Sequence, residues 1–244
     1  MTNGTNGSDD RFAQTYETLR ELIVLGHLAP GARIVEAHLA EELAVSRTPV
    51  RSALQRLQQE GYIVISPDRR KSRTVVAPLT RDDATELFGV VGEIEGLCAR
   101  RATQGGRHSR EKLVTDLEAI NDDLLACIRV AQPDKGNIFD VDAWFHQRYV
   151  TEGAGPRLMQ IHDAIKPQAE RYIRIYINAL VDKIGESVEE HAATIRAIAS
   201  GDPNQAQRAV QVNWRNAASR LAAVIEEGGE RGNWAEFIRS PKRA

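Results

Sequence analysis

The chain has 244 residues and a formal net charge of −2 at pH 7, and 42% of its residues are hydrophobic. This length exceeds the usual size of a single domain and predicts two. The net charge excludes a protein that is basic over its whole surface, but it allows a local basic patch. No apolar run approaches the roughly 20 residues that cross a bilayer, and residues 1–10, MTNGTNGSDD, are expected to form a disordered tail rather than a signal peptide. We therefore expect a cytoplasmic protein that does not contact membranes.

Residues 11–78 are expected to form the first domain, which begins with a helix over residues 11–25. Apolar residues there recur at three- and four-residue steps, as on one face of a helix. A short amphipathic helix follows over Glu36 to Ala44, and a longer one is expected to start at about Arg47, with the Ser46 side chain as its N-cap. Two short helices joined by a tight turn are typical of a helix-turn-helix.

The second of these helices has one packing face and one polar face. Val50, Leu54 and Leu57 form an inward stripe, whereas arginines at its N-terminal end lie on a different face. In a helix-turn-helix the N-terminal residues of this helix contact base edges in the DNA major groove. The residues expected to contact DNA are Ser46, Arg47, Thr48, Arg51 and Gln55.

Two β-branched runs, residues 62–66 and 73–77, follow the helices and predict a hairpin, or wing. The loop between them carries three consecutive basic residues and no glycine, which favours contact with phosphates over close backbone entry into a minor groove. Residues 45–75 together contain seven basic and two acidic residues, so the surplus charge lies where DNA would bind. The expected phosphate contacts are Arg69, Arg70, Lys71 and Arg73.

Residues 79–244 carry no further strand signal and are expected to form an all-α domain. The whole fold is therefore predicted to be mainly α, a winged helix-turn-helix with a small β hairpin followed by a bundle of about seven helices. The expected helices cover residues 80–103, 109–130, 138–151, 156–165, 167–180, 188–199 and 203–226.

One helix of the second domain contains FDVDAWFH, which places Asp142 and His146 four residues apart on one face. A carboxylate and an imidazole make half of a site for zinc, nickel or manganese, and His191 on another helix could supply a further ligand. Taken alone, the Asp142–His146 pair would equally fit a surface ion pair. His191 alone would fit an ordinary residue of a helix face.

The first domain resembles the winged-helix domain of the GntR family of bacterial transcription regulators over about residues 12–79. The second resembles the FCD effector domain of the FadR subgroup of that family. The first resemblance rests on Pro30-Gly31, Leu39-Ala40, residues 45–51 (VSRTPVR), Ala53-Leu54, Arg56-Leu57 and Glu60-Gly61, and the second on the Asp-x-x-x-His helix, the Glu-Glu-His motif and the Gly201-Asp202 pair.

The FCD resemblance implies that residues 79–244 form an effector-binding and dimerisation domain. It also implies that Asp142, His146 and His191 hold a divalent metal at the floor of an effector pocket. The position of the family's third histidine falls on Asn213, which implies either a weaker metal site or direct hydrogen bonding to the effector. The family often has an arginine at the position of Val91 that pairs with a carboxylic acid effector. Because this chain has Val91 at that position, the resemblance implies a carboxylic acid effector less strongly for this chain.

These features together predict a ligand-responsive transcription regulator, not an enzyme, that binds a near-palindromic DNA operator as a homodimer. Two alternatives remain at this point. A metal-dependent hydrolase could use the same Asp and His residues, although Glu190 lies about 100° round the helix from His191 and is poorly placed as a general base. An adaptor with a degenerate helix-turn-helix is the other.

Overall fold

The computed structural model describes residues 6–66 and 73–232, with side chains from residue 11 onward. The chain divides into two compact units, of which the second is Arg81–Gly229. The first contains the described residues up to Thr80 together with residues 230–232. The fold is mainly α with one two-stranded hairpin, which confirms the predicted class. None of the helices in these described ranges is long and apolar enough to cross a membrane.

Backbone pairing explains why residues 230–232 group with the first unit, whereas the sequence suggested one domain over residues 79–244. The Leu79 amide donates to the carbonyl oxygen of Arg231 at 2.8 Å, and the Arg231 amide donates to the Leu79 carbonyl oxygen at 3.1 Å. The two residues thus form an antiparallel bridge. Sequence periodicity carries no signal for a pairing between positions so far apart.

The described residues of the first unit form three helices and the hairpin, and the first helix begins earlier than expected. The sequence predicted a disordered tail over residues 1–10, but this helix starts at Asn6. The elements are α1 (Asn6–Val24), α2 (Glu36–Glu42), α3 (Arg47–Gln59), β1 (Ile63–Ser66) and β2 (Arg73–Val76).

An apolar core holds α3 against the rest of this unit. Val50, Ala53, Leu54 and Leu57 of α3 are all buried and belong to one cluster with apolar residues of α1, α2 and the hairpin. The turn between α2 and α3 is tight because Ala44 adopts a left-handed conformation with φ 52°. The core and the turn together fix which face of α3 points outward.

The hairpin pairs Ile63 with Val76 and Ser66 with Arg73 in antiparallel register. Val75 is fully buried, while Arg73 is exposed at the start of β2. The structure therefore positions Arg73 beside the wing loop. The other three basic residues predicted there, Arg69, Arg70 and Lys71, lie outside the described residues.

The second unit contains six α-helices among its described residues instead of about seven. The two helices expected on either side of Pro167 are one continuous helix. An internal proline costs about 3 kcal/mol, but buried residues on both sides, among them His162, Ala169 and Tyr172, offset that cost by packing. The helices are α4 (Arg81–Thr103), α5 (Arg107–Ile128), α6 (Lys135–Gly153), α7 (Pro156–Leu180), α8 (Ile184–Ser200) and α9 (Pro203–Gly228).

Two glycines allow α4 to approach its neighbours closely. A Cβ atom at Gly153 of α6 would lie 1.9 Å from the carbonyl oxygen of Cys98 on α4, and one at Gly92 would lie 2.8 Å from Cβ of Trp214 on α9. Both separations are far shorter than van der Waals contact. Only glycine therefore permits the helix spacing that brings the site residues of α4, α6 and α9 together.

Gly153→Ala is expected to lower the free energy of unfolding by about 1–3 kcal/mol, because the new methyl group forces α4 and α6 apart. Gly89→Ala is the matched control, since a Cβ there meets no described atom within 4 Å. That change should raise stability by up to about 1 kcal/mol through helix propensity. Urea unfolding of both variants provides the measurement. A shift of the two midpoints in the same direction would contradict the close α4–α6 packing.

Candidate DNA-binding surface and metal centre

The residues that the sequence assigned to DNA contact on α3 form one exposed surface. Val50, Leu54 and Leu57 face the core of the first unit, which leaves the opposite side of the helix uncovered. Its N-terminal end has no acidic residue in the first turn, so no side chain of that turn repels a phosphate, and the helix dipole attracts one. The exposed residues are Ser46, Arg47, Thr48, Arg51 and Gln55.

Two details of this surface differ from the expectation or add to it. Ser46 is the N-cap residue, but among the described residues its side chain makes no capping hydrogen bond, so its hydroxyl stays available to a partner. Arg51 donates from Nε and Nη2 to one carboxylate oxygen of Glu36, both at 3.1 Å. Glu36 on α2 therefore holds the Arg51 guanidinium in place while leaving the arginine side chain 61% exposed.

The second unit brings together the three predicted metal ligands. Asp142 and His146 project from α6 and His191 projects from α8, and one potential ligand atom of each lies within 4.8 Å of the others. Both histidines are buried, while the Asp142 side chain is 21% exposed. A carboxylate oxygen with two imidazole nitrogens suits a divalent transition metal, so these residues fit the group that the FCD resemblance implies.

Neighbouring side chains fix the orientation of His191. Its Nδ1 lies 3.2 Å from the Asn121 carboxamide oxygen, and the amide group of Asn121 donates to the Val188 carbonyl oxygen at 3.2 Å. Because the Asn121 oxygen can only accept a hydrogen bond, the His191 ring donates to it from Nδ1. The Phe145 ring stacks on the imidazole with 3.8 Å between the ring centroids. Its Nε2 has no hydrogen-bond partner among the described residues and lies 3.7 Å from Asp142 Oδ1.

A buried carboxylate fixes His146 in the same way. Nδ1 of His146 lies 2.7 Å from Glu95 Oε2, and the Glu95 side chain is completely buried. Because an ionised carboxylate only accepts hydrogen bonds, Nδ1 carries a proton, which leaves Nε2 as the nitrogen that could bind a metal. Carboxylate or amide partners behind metal-binding histidines commonly set the tautomer and raise ligand basicity.

Glu95 is the centre of a polar network that the sequence analysis missed. Its carboxylate accepts from Lys166 Nζ at 2.8 Å, from Trp214 Nε1 at 2.8 Å and from the Tyr149 hydroxyl at 2.6 Å. Burial alone would raise the pKa of Glu95. The Lys166 ammonium and the interactions with His146 outweigh burial and hold that pKa well below its ordinary value.

His162 belongs to no motif in the sequence, yet it is part of this network. It is buried on α7 with Nε2 3.2 Å from Glu95 Oε1. A signal for this network does exist in the sequence. Glu95 lies four residues after Val91 and three before Cys98, so it occupies the apolar stripe of α4, where a charged residue requires partners. Lys166, four residues after His162 on α7, shares its face.

Asn213, at the fourth family ligand position, is buried on α9 and contacts Glu190 of α8. Its Nδ2 donates to Glu190 Oε2 at 2.8 Å. Val91, where the family often has an arginine, is fully buried and belongs to the apolar core. The chain thus lacks that arginine, while Lys166 on α7 brings a buried cation into the same unit.

Comparison with known proteins agrees with this architecture. A family model described as bacterial regulatory proteins of the gntR family matches residues 12–74, and the FCD domain model matches residues 86–216. The chain is 27% identical over 225 residues to the gluconate operon transcriptional repressor of Bacillus licheniformis, covering 88% of this chain and 89% of that protein. It is 24% identical over 216 residues to a probable D-xylose utilization operon transcriptional repressor of Paenarthrobacter nicotinovorans, covering 86% and 89%.

Solved structures share the fold. McbR/YncC of E. coli matches with a TM-score of 0.65 at 19% identity, covering 90% of this chain and 99% of that one. A winged helix-turn-helix joined to an FCD helical domain defines a class of bacterial transcription regulators. The chain belongs to the GntR family, and its FCD domain is consistent with the FadR subgroup.

Burial of His191 predicts a pH-dependent stability in the absence of metal. Desolvation, followed by the nearby His146 and Arg220, holds the pKa of His191 well below its ordinary value. The unfolded chain takes up a proton below about pH 6.5 that the folded chain cannot bind, so this contribution is complete above that pH and is lost as the pH falls. Its expected size is about 1.4 kcal/mol between pH 7.5 and 5.5.

Urea unfolding of chelator-treated protein at these two pH values, compared with His191→Gln, measures the effect. Glutamine does not titrate, so the variant should lose less stability on acidification than the wild type, by about the same 1.4 kcal/mol. Equal losses in the two proteins would mean that His191 is protonated in the folded state.

Proposed function

We propose that this GntR-family regulator binds a near-palindromic DNA operator through α3 and the wing, and that a small metabolite bound in the helical unit beside a divalent metal changes its operator affinity. The observation that carries the metabolite and metal part is the pair of buried imidazoles, His146 and His191. Each has its Nδ1 engaged by a neighbouring side chain and its Nε2 left for a ligand next to Asp142.

DNA recognition is assigned to the exposed surface of α3. Arg47 and Arg51 can form bidentate hydrogen bonds to guanine, while Ser46, Thr48 and Gln55 offer shorter polar contacts to phosphates and bases. Glu36 supports Arg51 by fixing its guanidinium before DNA arrives, which lowers the entropic cost of that contact. Arg69, Arg70, Lys71 and Arg73 of the wing are assigned to phosphates, where they contribute affinity without sequence preference.

Two chains are proposed to bind each operator as a homodimer. A single winged helix contacts few base pairs, and a two-fold protein reads a site with two-fold sequence symmetry. A two-fold arrangement also gives the effector a way to act. It must bind one conformation of the dimer more tightly than another, since only differential affinity can change DNA binding.

Arg51→Ala should reduce discrimination between the operator and unrelated DNA by about 1–3 kcal/mol, the value of one bidentate arginine–guanine contact. Arg56→Ala is the control on the same helix, because its guanidinium already lies 4.0 Å over the Tyr16 ring and pairs with Glu60. Fluorescence anisotropy titrations of operator and scrambled duplexes measure both constants and the number of chains bound. Unchanged selectivity in Arg51→Ala, or one chain per operator, would contradict the assignment.

The metal is proposed to be zinc, nickel or manganese, held by Asp142, His146 and His191. When bound, such an ion supplies a positive centre with open positions for oxygen atoms of an effector. Partial burial raises the pKa of Asp142, and a cation beside it would favour its ionised form. A small carboxylic acid is the effector class favoured, because carboxylate oxygens suit such a cation.

His146→Ala should lower the affinity for Zn²⁺ by more than the roughly 10–100-fold that loss of an outer-shell partner costs, since it removes a ligand outright. His108→Ala, which changes an exposed histidine of α5, is the matched control. Chelator competition measures the zinc affinity, and operator release is measured with D-gluconate and with dicarboxylic acids. Zinc affinity and ligand response that survive in His146→Ala would remove this residue from the site.

The rival functions have less support. A hydrolase would need a general base at the metal, but Glu190 is occupied by Arg220, Asn213 and Asn216. Relatives across most of the chain are named transcriptional regulators, which favours a role without catalysis. An adaptor that does not bind DNA would have no need for the exposed arginines of α3.

A further inference from the structure

The last described residues of the chain, 230–232, return to the first unit after α9 and form a return segment. Within this segment Arg231 makes two backbone hydrogen bonds to Leu79, the bridge described above. Leu79 is buried, with only 1% of its surface exposed. Because water competes poorly for backbone groups in such a position, this pairing is expected to open rarely.

Gly232 approaches the turn of Pro30 and Gly31 more closely than any other residue type could. A Cβ atom at Gly232 would lie 2.5 Å from the Pro30 carbonyl carbon and 2.6 Å from the Gly31 amide nitrogen. Both are backbone atoms and cannot swing aside as the end of a flexible side chain can. Gly232 also has φ 71°, in the left-handed region that favours glycine. The return segment is therefore fitted to this turn by shape, in addition to its pairing with Leu79.

The same turn supports the elements that carry the proposed DNA-binding surface. The Gly31 amide donates to the Val76 carbonyl oxygen and the Val76 amide donates to the Ala32 carbonyl oxygen, both at 2.9 Å, which joins the turn to β2 of the wing. The helix that follows the turn, α2, begins with Glu36, which holds Arg51 of α3. A displacement of the return segment would thus disturb the base of the wing and the approach to α2 together.

The other end of the return segment is held by the helical unit. Gly229, the residue directly before it, is the C-cap of α9. Its carbonyl oxygen accepts a hydrogen bond at 3.0 Å from the hydroxyl of Tyr176, a buried residue of α7. These two helices also contribute Lys166 and Trp214 to the network around Glu95. A single peptide bond therefore joins a residue held by α7 and α9 to a segment held by the winged-helix unit.

We infer that the return segment is a tether that couples the effector site to the DNA-binding surface. The chain passes between the two units at Thr80–Arg81 and again at Gly229–Glu230. Two domains joined by one connection move independently by default. A second connection, held at both of its ends, transmits a displacement of α7 and α9 to the turn before α2 and to the wing. This coupling is what an effector needs in order to change operator affinity, so the inference rests on the proposed function.

Gly232→Ala in the full-length chain tests whether the segment is fixed, because the new methyl group would force it away from the Pro30–Gly31 turn. Loss of the pairing should make the Leu79 amide exchange with deuterium about 10-fold faster, while the amides of α4 to α9 stay protected. Gly228→Ala is the matched control, since a Cβ at that nearby glycine meets no described atom within 4 Å. It should leave the exchange rate of Leu79 unchanged.

The coupling is measured with Zn²⁺ alone as the probe. Zinc affinity comes from chelator competition, and operator affinity from anisotropy titrations with and without zinc. In the wild type and in Gly228→Ala, zinc should change operator affinity by about 5-fold or more. In Gly232→Ala that change should be lost while zinc affinity is kept, because residue 232 belongs to the other unit.

Tyr176→Phe releases the opposite end of the tether without adding an atom. It removes the hydroxyl that donates to Gly229 and keeps the ring, so it should also reduce the zinc effect on operator affinity. This variant tests the coupling even if Gly232→Ala does not fold.

Three results would overturn the inference: unchanged Leu79 exchange in Gly232→Ala, a full zinc effect on operator affinity in Gly232→Ala or Tyr176→Phe, or zinc binding without any such effect in the wild type. Failure of the proposed function gives a different pattern. A wild type that binds no zinc would overturn the metal site and the coupling with it, and a wild type that binds no operator would overturn the regulator role.

Discussion

The helical unit depends on one buried charge, the Glu95 carboxylate on α4. Transfer of an unpaired carboxylate into a protein interior costs several kcal/mol, so its burial requires neighbours that compensate for lost water. Those neighbours come from α6, α7 and α9, as His146, Lys166 and Trp214. Removal of any one leaves a buried polar group unsatisfied. The helices around the site are thus constrained by the same network that sets the tautomer of a proposed metal ligand.

Two side chains outside the proposed ligand set orient the two histidines. Glu95 stands behind His146 and Asn121 stands behind His191, and each engages Nδ1. Both imidazoles can then offer Nε2 to the same centre without rotating, which reduces the reorganisation needed when a metal binds. Asn213 instead donates a hydrogen bond from its amide nitrogen to Glu190 on α8.

Sequence patterns identified the helix-turn-helix, the wing strands and the Asp142–His146–His191 set, because each depends on local spacing or on a family motif. Periodicity places Glu95 on the inner face of α4, but it does not say which donors surround that residue. The continuity of α7 through Pro167 also lay beyond local rules, since packing on both sides of the proline outweighs its propensity. Partners such as Glu190 for Asn213 lie on different helices, and only the tertiary fold brings them together.

The central claim is that two pre-oriented imidazoles and one carboxylate share a metal ion. X-ray absorption spectroscopy of the zinc-loaded protein tests it most directly, because the outer atoms of coordinated imidazole rings give a distinctive scattering pattern. The account predicts two imidazole ligands, with the remaining positions filled by oxygen. A spectrum with fewer than two imidazoles in the zinc shell would contradict it.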